Sequence, residues 1–369
     1  MTSDVINMVN EDIVFGKYEM IHSKVQDEDR KLLIHLPEEY EKSDNRYPVL
    51  YLLGGGYEPF FINCASLVEY VSASGLMPNV IVVGITDTDY FRDMFPQKLE
   101  QRPDSTGGSD SFLDFIEKEL KPYIDQRYRT VPYSILYGAS NAGMLAIYAL
   151  LARPELFNAY ISSSPMLGWF PGYFQEIAEN LFSERKALDR FLYIIYGKDD
   201  YSQVIDELPK FEELLGKTTT SDFEWESVSL ETEGHVPYTS LYAGMRFIFP
   251  KWKIHEKEVT SMGLDGIEKY YNQLSEKYGF DVAIPEEVLT ALGFEYYQES
   301  NIDVAITTMK YTTGLYPNSD SALGFLGSLY RKNKDKTLAI EAFENALKLN
   351  PDNLRVSKML DEIKSQDVI

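Results

Sequence analysis

The chain has 369 residues, a net charge of -23 and one cysteine, Cys64. Such acidity excludes nucleic acid and anionic membrane as expected partners, since both need a basic footprint, and no apolar run is long enough to span a bilayer. A lone cysteine excludes an internal disulfide and leaves the redox compartment open.

The opening residues, MTSDVINMVNEDIVF, have neither a basic region nor an apolar core. They read as no signal peptide, and the expected location is the cytoplasm. The strand pattern KLLIHLP follows, and its His35 reads as structural. Residues 47–53, YPVLYLL, form a buried-strand pattern that runs straight into Gly54-Gly55-Gly56. Residues 79–85, NVIVVGI, form a second β-branched run. The stretch 86–108 has no periodic pattern, and a loop of that length inside a domain is usually functional. It is expected to leave the active edge of the sheet and roof it. Helical spacing returns over 111–124.

The most informative stretch is SILYGASNAGMLAIYALLARPELF, residues 134–157. A strand (Ile135, Leu136, Tyr137) enters Gly138-Ala139-Ser140-Asn141-Ala142-Gly143, and a helical pattern begins at once. In such a strand–turn–helix setting a serine sits at the tip of a sharp turn above a parallel sheet. Gly138 permits the tight turn, and Ala142 or Gly143 lets the helix approach the strand. The plainer reading is a serine that caps a helix.

Further strands are expected at 157–162 and at 191–196, FLYIIY, then helical spacing at 203–215 and a strand at 225–230. Strands alternating with helices imply a mostly parallel sheet covered on both faces. In such sheets the site lies at the carboxyl ends of the strands. Trp169 follows one strand at that edge and is a candidate wall for the substrate, or ordinary core. Asp199 and Asp200 end another, and Asp200 is preferred as the acid that orients an imidazole. The chain has four histidines. His22 and His255 fall in polar surroundings. His235 lies in the turn-rich ETEGHVP, after the last strand and before a helix at 238–249, where the base of a serine hydrolase belongs.

With these motifs in place, residues 14–252 resemble the putative esterase family of α/β-hydrolases. The likeness is to its enterochelin esterase-like branch, within a wider group that includes S-formylglutathione hydrolase. The matching blocks are YPVLYLLGGG, MPNVIVVGITDTDYFRDMFP, FLDFIEKELKPYIDQRYRT, YGASNAGMLAIYALLARPELFNAYISSSP and EGHVPYTSLYAGMRFIF. The resemblance implies a doubly wound α/β-hydrolase sheet with Ser140 as nucleophile and His235 as general base. Asp200 would complete the site, although some relatives work with a Ser–His pair. It implies an oxyanion hole from the N–H groups of Gly56 and Asn141, with Gly55 shaping the turn. Arg92 would meet an acidic substrate group, or else pair with Asp93 or Asp89 in its own loop. The chain departs from the family's pattern at Gly54, where Asp is frequent, at Ala139 and Ala142, and at Tyr90, which replaces an arginine. A small or medium carboxylic ester or thioester is the substrate implied, cleaved through an acyl-enzyme. No cofactor or metal is expected.

Beyond Lys253 the sequence turns polar and helical and repeats itself. Leu292-Gly293, Tyr296, Ala305, Ile306, Met309 and Pro317 recur thirty-four residues later as Leu326-Gly327, Tyr330, Ala339, Ile340, Phe343 and Pro351. That period and pattern are those of the tetratricopeptide repeat. The expected domains are a hydrolase over 1–255, a linker with a partial helical unit over 256–285, and a small all-α repeat domain over 286–369. Within these, residues 267–278 would pack against the repeats and residues 354–363 would cap them. The repeats would bind a protein partner, pair two copies of the chain, or stabilise the hydrolase. The alternative function is a binding protein whose hydrolase domain is a degenerate scaffold, kept open by Gly54 and Ala142.

Overall fold

The computed structural model describes residues 14–184, 187–218 and 222–365, so the N-terminal stretch 1–13, read above for a leader, lies outside the described residues. The chain divides into two compact units, with the boundary between Trp252 and Lys253.

The first unit is built on one eight-stranded sheet, in the order β1-β2-β4-β3-β5-β6-β7-β8. Its strands are β1 (Lys17–Ser23), β2 (Glu28–His35), β3 (Tyr47–Leu52), β4 (Ile81–Ile85), β5 (Thr130–Ala139), β6 (Ala159–Ser163), β7 (Arg190–Gly197) and β8 (Phe223–Leu230). β1 and β2 run antiparallel, β2 joins β4 antiparallel, and every pairing from β4 across to β8 is parallel. β3, β4 and β6 are buried along their whole length. That is why they read as unbroken apolar runs, the signature of strands covered on both faces. β1, at the edge, is mostly exposed and mixes charged with apolar residues. The sequence reading passed over it.

The crossovers are helical. In chain order they are α1 (Glu58–Ala73), α2 (Tyr90–Met94), α3 (Ser109–Phe115), α4 (Lys121–Arg127), α5 (Asn141–Ala152), α6 (Tyr173–Glu184), α7 (Ser202–Ile205), α8 (Leu208–Thr218) and α9 (Ser240–Ile248). Three details correct the sequence reading. The stretch 86–108 is not wholly irregular, because it holds α2 and a Leu99–Arg102 bridge. The helix read over 111–124 starts at Ser109 and contains one wide π turn, Ile116–Leu120, just before Pro122. The helix read over 203–215 breaks between Ile205 and Leu208, with Pro209 near the start of the second piece, where a missing N–H costs nothing.

The second unit is all helical: α10 (Glu256–Tyr278), α11 (Glu286–Gln298), α12 (Ile302–Leu315), α13 (Asp320–Lys332), α14 (Lys336–Leu349) and α15 (Leu354–Ser365). Much of the stretch read as a linker with a partial helical unit is α10, broken at Gly263, where φ is +63°. Beyond that break Ile267, Tyr271, Leu274 and Tyr278 are buried. The repeat is visible in the contacts. A Cβ on Gly293 would lie 2.7 Å from Met309 Sδ, and one on Gly327 would lie 2.6 Å from the Phe343 ring. Ser319 Oγ donates to Glu286, and thirty-four residues on Asn353 donates to Asp320. Ser300 and Lys334, the same distance apart, both take positive φ at the turn between paired helices.

Candidate active site

Ser140 stands between β5 and α5 with φ 61° and ψ -124°, a backbone state that a non-glycine residue rarely adopts. Holding it there costs roughly 1–3 kcal/mol, and such strain collects at functional sites. Two neighbours make the turn possible. A Cβ on Gly138 would fall 2.1 Å from the Ala142 carbonyl oxygen, and one on Gly143 would fall 2.8 Å from the Ser163 carbonyl oxygen. Gly143, rather than Ala142, is therefore the residue that lets α5 approach the sheet. The Ser140 N–H donates to that same Ser163 oxygen at 2.8 Å. The serine is not a capping side chain, for its hydroxyl turns toward a histidine.

His235 Nε2 lies 2.9 Å from Ser140 Oγ, and His235 Nδ1 lies 2.7 Å from Asp200 Oδ1. The three residues come from the ends of β5, β7 and β8, neighbouring parallel strands separated by β6 alone. Asp199 is exposed, whereas the Asp200 carboxylate is fully buried. Besides the imidazole it accepts from the Tyr201 N–H at 2.7 Å and from Ser164 Oγ at 2.5 Å. Gly197 allows the two loops to meet, since a Cβ there would sit 2.0 Å from the Glu233 carbonyl oxygen. The Tyr201 ring packs on the imidazole with centroids 4.6 Å apart.

Ser164 was missed by sequence reasoning. It is completely buried, with φ at 48°, and its hydroxyl donates to Asp200 while accepting the Val236 N–H at 2.8 Å. One side chain thus ties the acid to the loop of the histidine. Its only sequence signal was its place at the end of a serine run following a strand.

The glycine loop after β3 lies beside β4. A Cβ on Gly55 would be 2.6 Å from Gly84 Cα, and one on Gly56 would be 3.1 Å from Thr86 Cβ, so both must stay small. Among the described residues, the N–H groups of Gly56 and Asn141 have no hydrogen-bond acceptor. The Asn141 side chain accepts from Trp169 Nε1 at 2.9 Å, and the Tyr90 hydroxyl faces that side chain and the Ala142 backbone. Trp169, read as a candidate wall for the substrate or as ordinary core, is held against the serine turn. Tyr90 from the roofing segment, which joins it there, was not foreseen.

Arg92 is a correction. Its guanidinium binds both oxygens of Glu28, at 3.0 and 2.7 Å, and Asp93 at 2.9 Å. These bonds raise its pKa further and leave it no free donor edge for a substrate. Asp93 is also held by the fully buried Arg30 at 2.6 Å. Arg92 therefore anchors α2 to β2, which sets Tyr90 against the serine turn. The other histidines lie elsewhere. His35 bonds to the Phe15 carbonyl and Glu69, His22 pairs with Asp29, and His255 precedes α10. Among the described residues no group of histidine, cysteine and carboxylate side chains has the arrangement of a metal site.

Residues 23–207, half of the chain, match the family described as Putative esterase. The chain belongs to that family. Residues 321–353 match the tetratricopeptide repeat. Among curated relatives, this esterase-family chain is 45% identical over 69 residues to a siderophore triacetylfusarinine C esterase of Aspergillus fumigatus, a match covering 18% of this chain and 24% of that protein. It is 24% identical over 218 residues to the ferri-bacillibactin esterase BesA of Bacillus subtilis, covering 52% of this chain and 74% of the relative. The chain thus spans about a quarter of the first relative's length and about three quarters of the second's. Among solved structures, an IroE-like serine hydrolase from Shewanella oneidensis superposes with a TM-score of 0.70 at 26% identity, covering 81% of this chain and 99% of that one. No helix among the described residues is long and apolar enough to cross a membrane.

Proposed function

We propose that the protein is a serine esterase that cleaves a small or medium carboxylic ester through an acyl-enzyme on Ser140. The observation that carries this reading is the unbroken line of hydrogen bonds from Ser140 Oγ through His235 to Asp200. His235 Nε2 takes the hydroxyl proton as Oγ attacks the ester carbonyl, then returns it to the leaving alcohol. Asp200 holds the imidazole in the tautomer that leaves Nε2 free to accept, and it stabilises the imidazolium that forms. The N–H groups of Gly56 and Asn141 receive the tetrahedral oxyanion. One such donor is worth roughly 10²–10³ in turnover. Water then attacks the acyl-enzyme with His235 again as base. Trp169 and Tyr90 keep Asn141, and with it the second donor, in register.

Exposed aromatic rings flank these loops: Tyr57 after Gly56, Tyr201 after Asp200, and Tyr238 beyond His235. They form a stacking rim for a planar or apolar substrate group. The Aspergillus fumigatus relative is named as a siderophore esterase and the Bacillus subtilis one as a ferri-bacillibactin esterase, so siderophore esters are the first substrates to assay.

The test is intact-mass labelling with a neutral fluorophosphonate. The native protein is expected to take one adduct, and Ser140→Ala and His235→Ala to take none. A folded native protein that takes no adduct would overturn the reading.

A further inference from the structure

On the esterase reading, the wall beside the glycine loop governs which charge an ester can carry into the site. Asp87 lies two residues beyond β4, at the same sheet edge as Gly54, which follows β3. A Cβ on Gly54 would be 3.9 Å from Asp87 Oδ2. Asp87 also acts electrostatically on Tyr90, whose hydroxyl faces Asn141 and Ala142 at the serine turn. The carboxyl therefore lies beside the glycine loop that carries the Gly56 N–H and within electrostatic range of Tyr90. Asp87 remains open to solvent at this edge.

Little on the neighbouring elements offsets that charge. Arg30 and Arg92 are committed to Glu28 and Asp93, and Lys31 Nζ lies over the Tyr18 ring. The groups that act on Asp87 are Asp93, which repels it, and Arg30, which attracts it, with Tyr90 alongside. Surrounding protein, reinforced by Asp93, pushes the Asp87 carboxyl up to about 6. It is charged in neutral solution and titrates just below.

We propose that Asp87 is a specificity-determining residue, whose carboxylate lines the ester site beside Gly54–Gly56 and selects neutral or cationic esters over anionic ones. Glycine at position 54 leaves the space that Asp87 faces.

The experiment uses two matched pairs of esters with the full chain. On the alcohol side, choline butyrate is compared with its neutral analogue carrying carbon in place of nitrogen. On the acyl side, a p-nitrophenyl ester ending in trimethylammonium is compared with one ending in tert-butyl. At about pH 8 the native protein is expected to favour the cationic member of at least one pair, and Asp87→Asn to reduce that kcat/KM ratio about tenfold, the effect of one unit charge at short range near a protein surface. Lowering the native protein to about pH 5 is expected to collapse the same ratio. Each ratio compares two esters at one pH, so a general loss of activity at the lower pH cancels. The pH series needs no variant, so a misfolded Asp87→Asn leaves the test intact. Ratios that stay within about twofold in both arms, while the native protein labels at Ser140, would overturn the role of Asp87 alone. Absence of the Ser140 adduct would overturn the esterase reading and this role with it.

Discussion

A buried carboxylate that must orient an imidazole needs its second oxygen fixed, or it rotates away from the ring. In this site Ser164 supplies that restraint, and by accepting the Val236 N–H it fixes the histidine loop at the same time. Ser164→Ala removes both bonds and leaves a backbone N–H unpaired, a loss on the order of 1–3 kcal/mol. Because Ser164 touches Asp200 rather than Ser140, the substitution is expected to lower kcat by roughly 10–100-fold with KM changed less than about threefold. Steady-state kinetics of the variant check this. Equal losses in kcat and substrate affinity would instead indicate general loosening of the pocket. Arg92 shows the converse case. The sequence left open a substrate contact or a pair with Asp93 or Asp89; the Asp93 pair forms, tertiary structure adds Glu28 of β2, and the work of Arg92 is to hold α2.

At the scale of elements, the two repeats test how far a shared motif carries shared energetics. Gly293 and Gly327 occupy equivalent positions, but the first faces a thioether and the second an aromatic ring. A methionine yields by rotating about its own bonds, whereas a buried phenylalanine cannot move without displacing its neighbours. Gly327→Ala is expected to cost at least about 1 kcal/mol more than Gly293→Ala, measured by urea unfolding of the full chain. Equal costs would show that the Phe343 side of the repeat is as pliant as the other. The same comparison explains what was legible beforehand. The interior strands could be read because burial on both faces leaves unbroken apolar runs such as YPVLYLL, and the repeats because a period of thirty-four recurs. Ser140 and His235 were readable from strand-end turns. β1 was not, since an exposed edge strand carries no such run. Nor were Ser164 and Tyr90, whose roles depend on partners 36 to 72 residues away or on another loop altogether.

For the whole molecule, the parallel sheet is what brings distant segments to one edge. Gly54–Gly56, Asp87, Ser140, Asp200 and His235 each follow a different strand, and their order in space follows strand order rather than chain order. Every one of them precedes the boundary at Trp252. The acid, the base and the positioning hydroxyl of Ser164 are all satisfied from within the first unit. A protein ending at residue 252 is therefore expected to fold cooperatively and to take the Ser140 adduct at a rate within about threefold of the full chain. Labelling kinetics and thermal melting of the two proteins check this together. If the shortened protein melts normally but labels slowly, the repeats act on the site through conformation. If it fails to fold, the first unit depends on the second for stability. A normal rate and a normal melt would leave the repeats free for a task outside catalysis, and would point the search for a partner at the second unit alone.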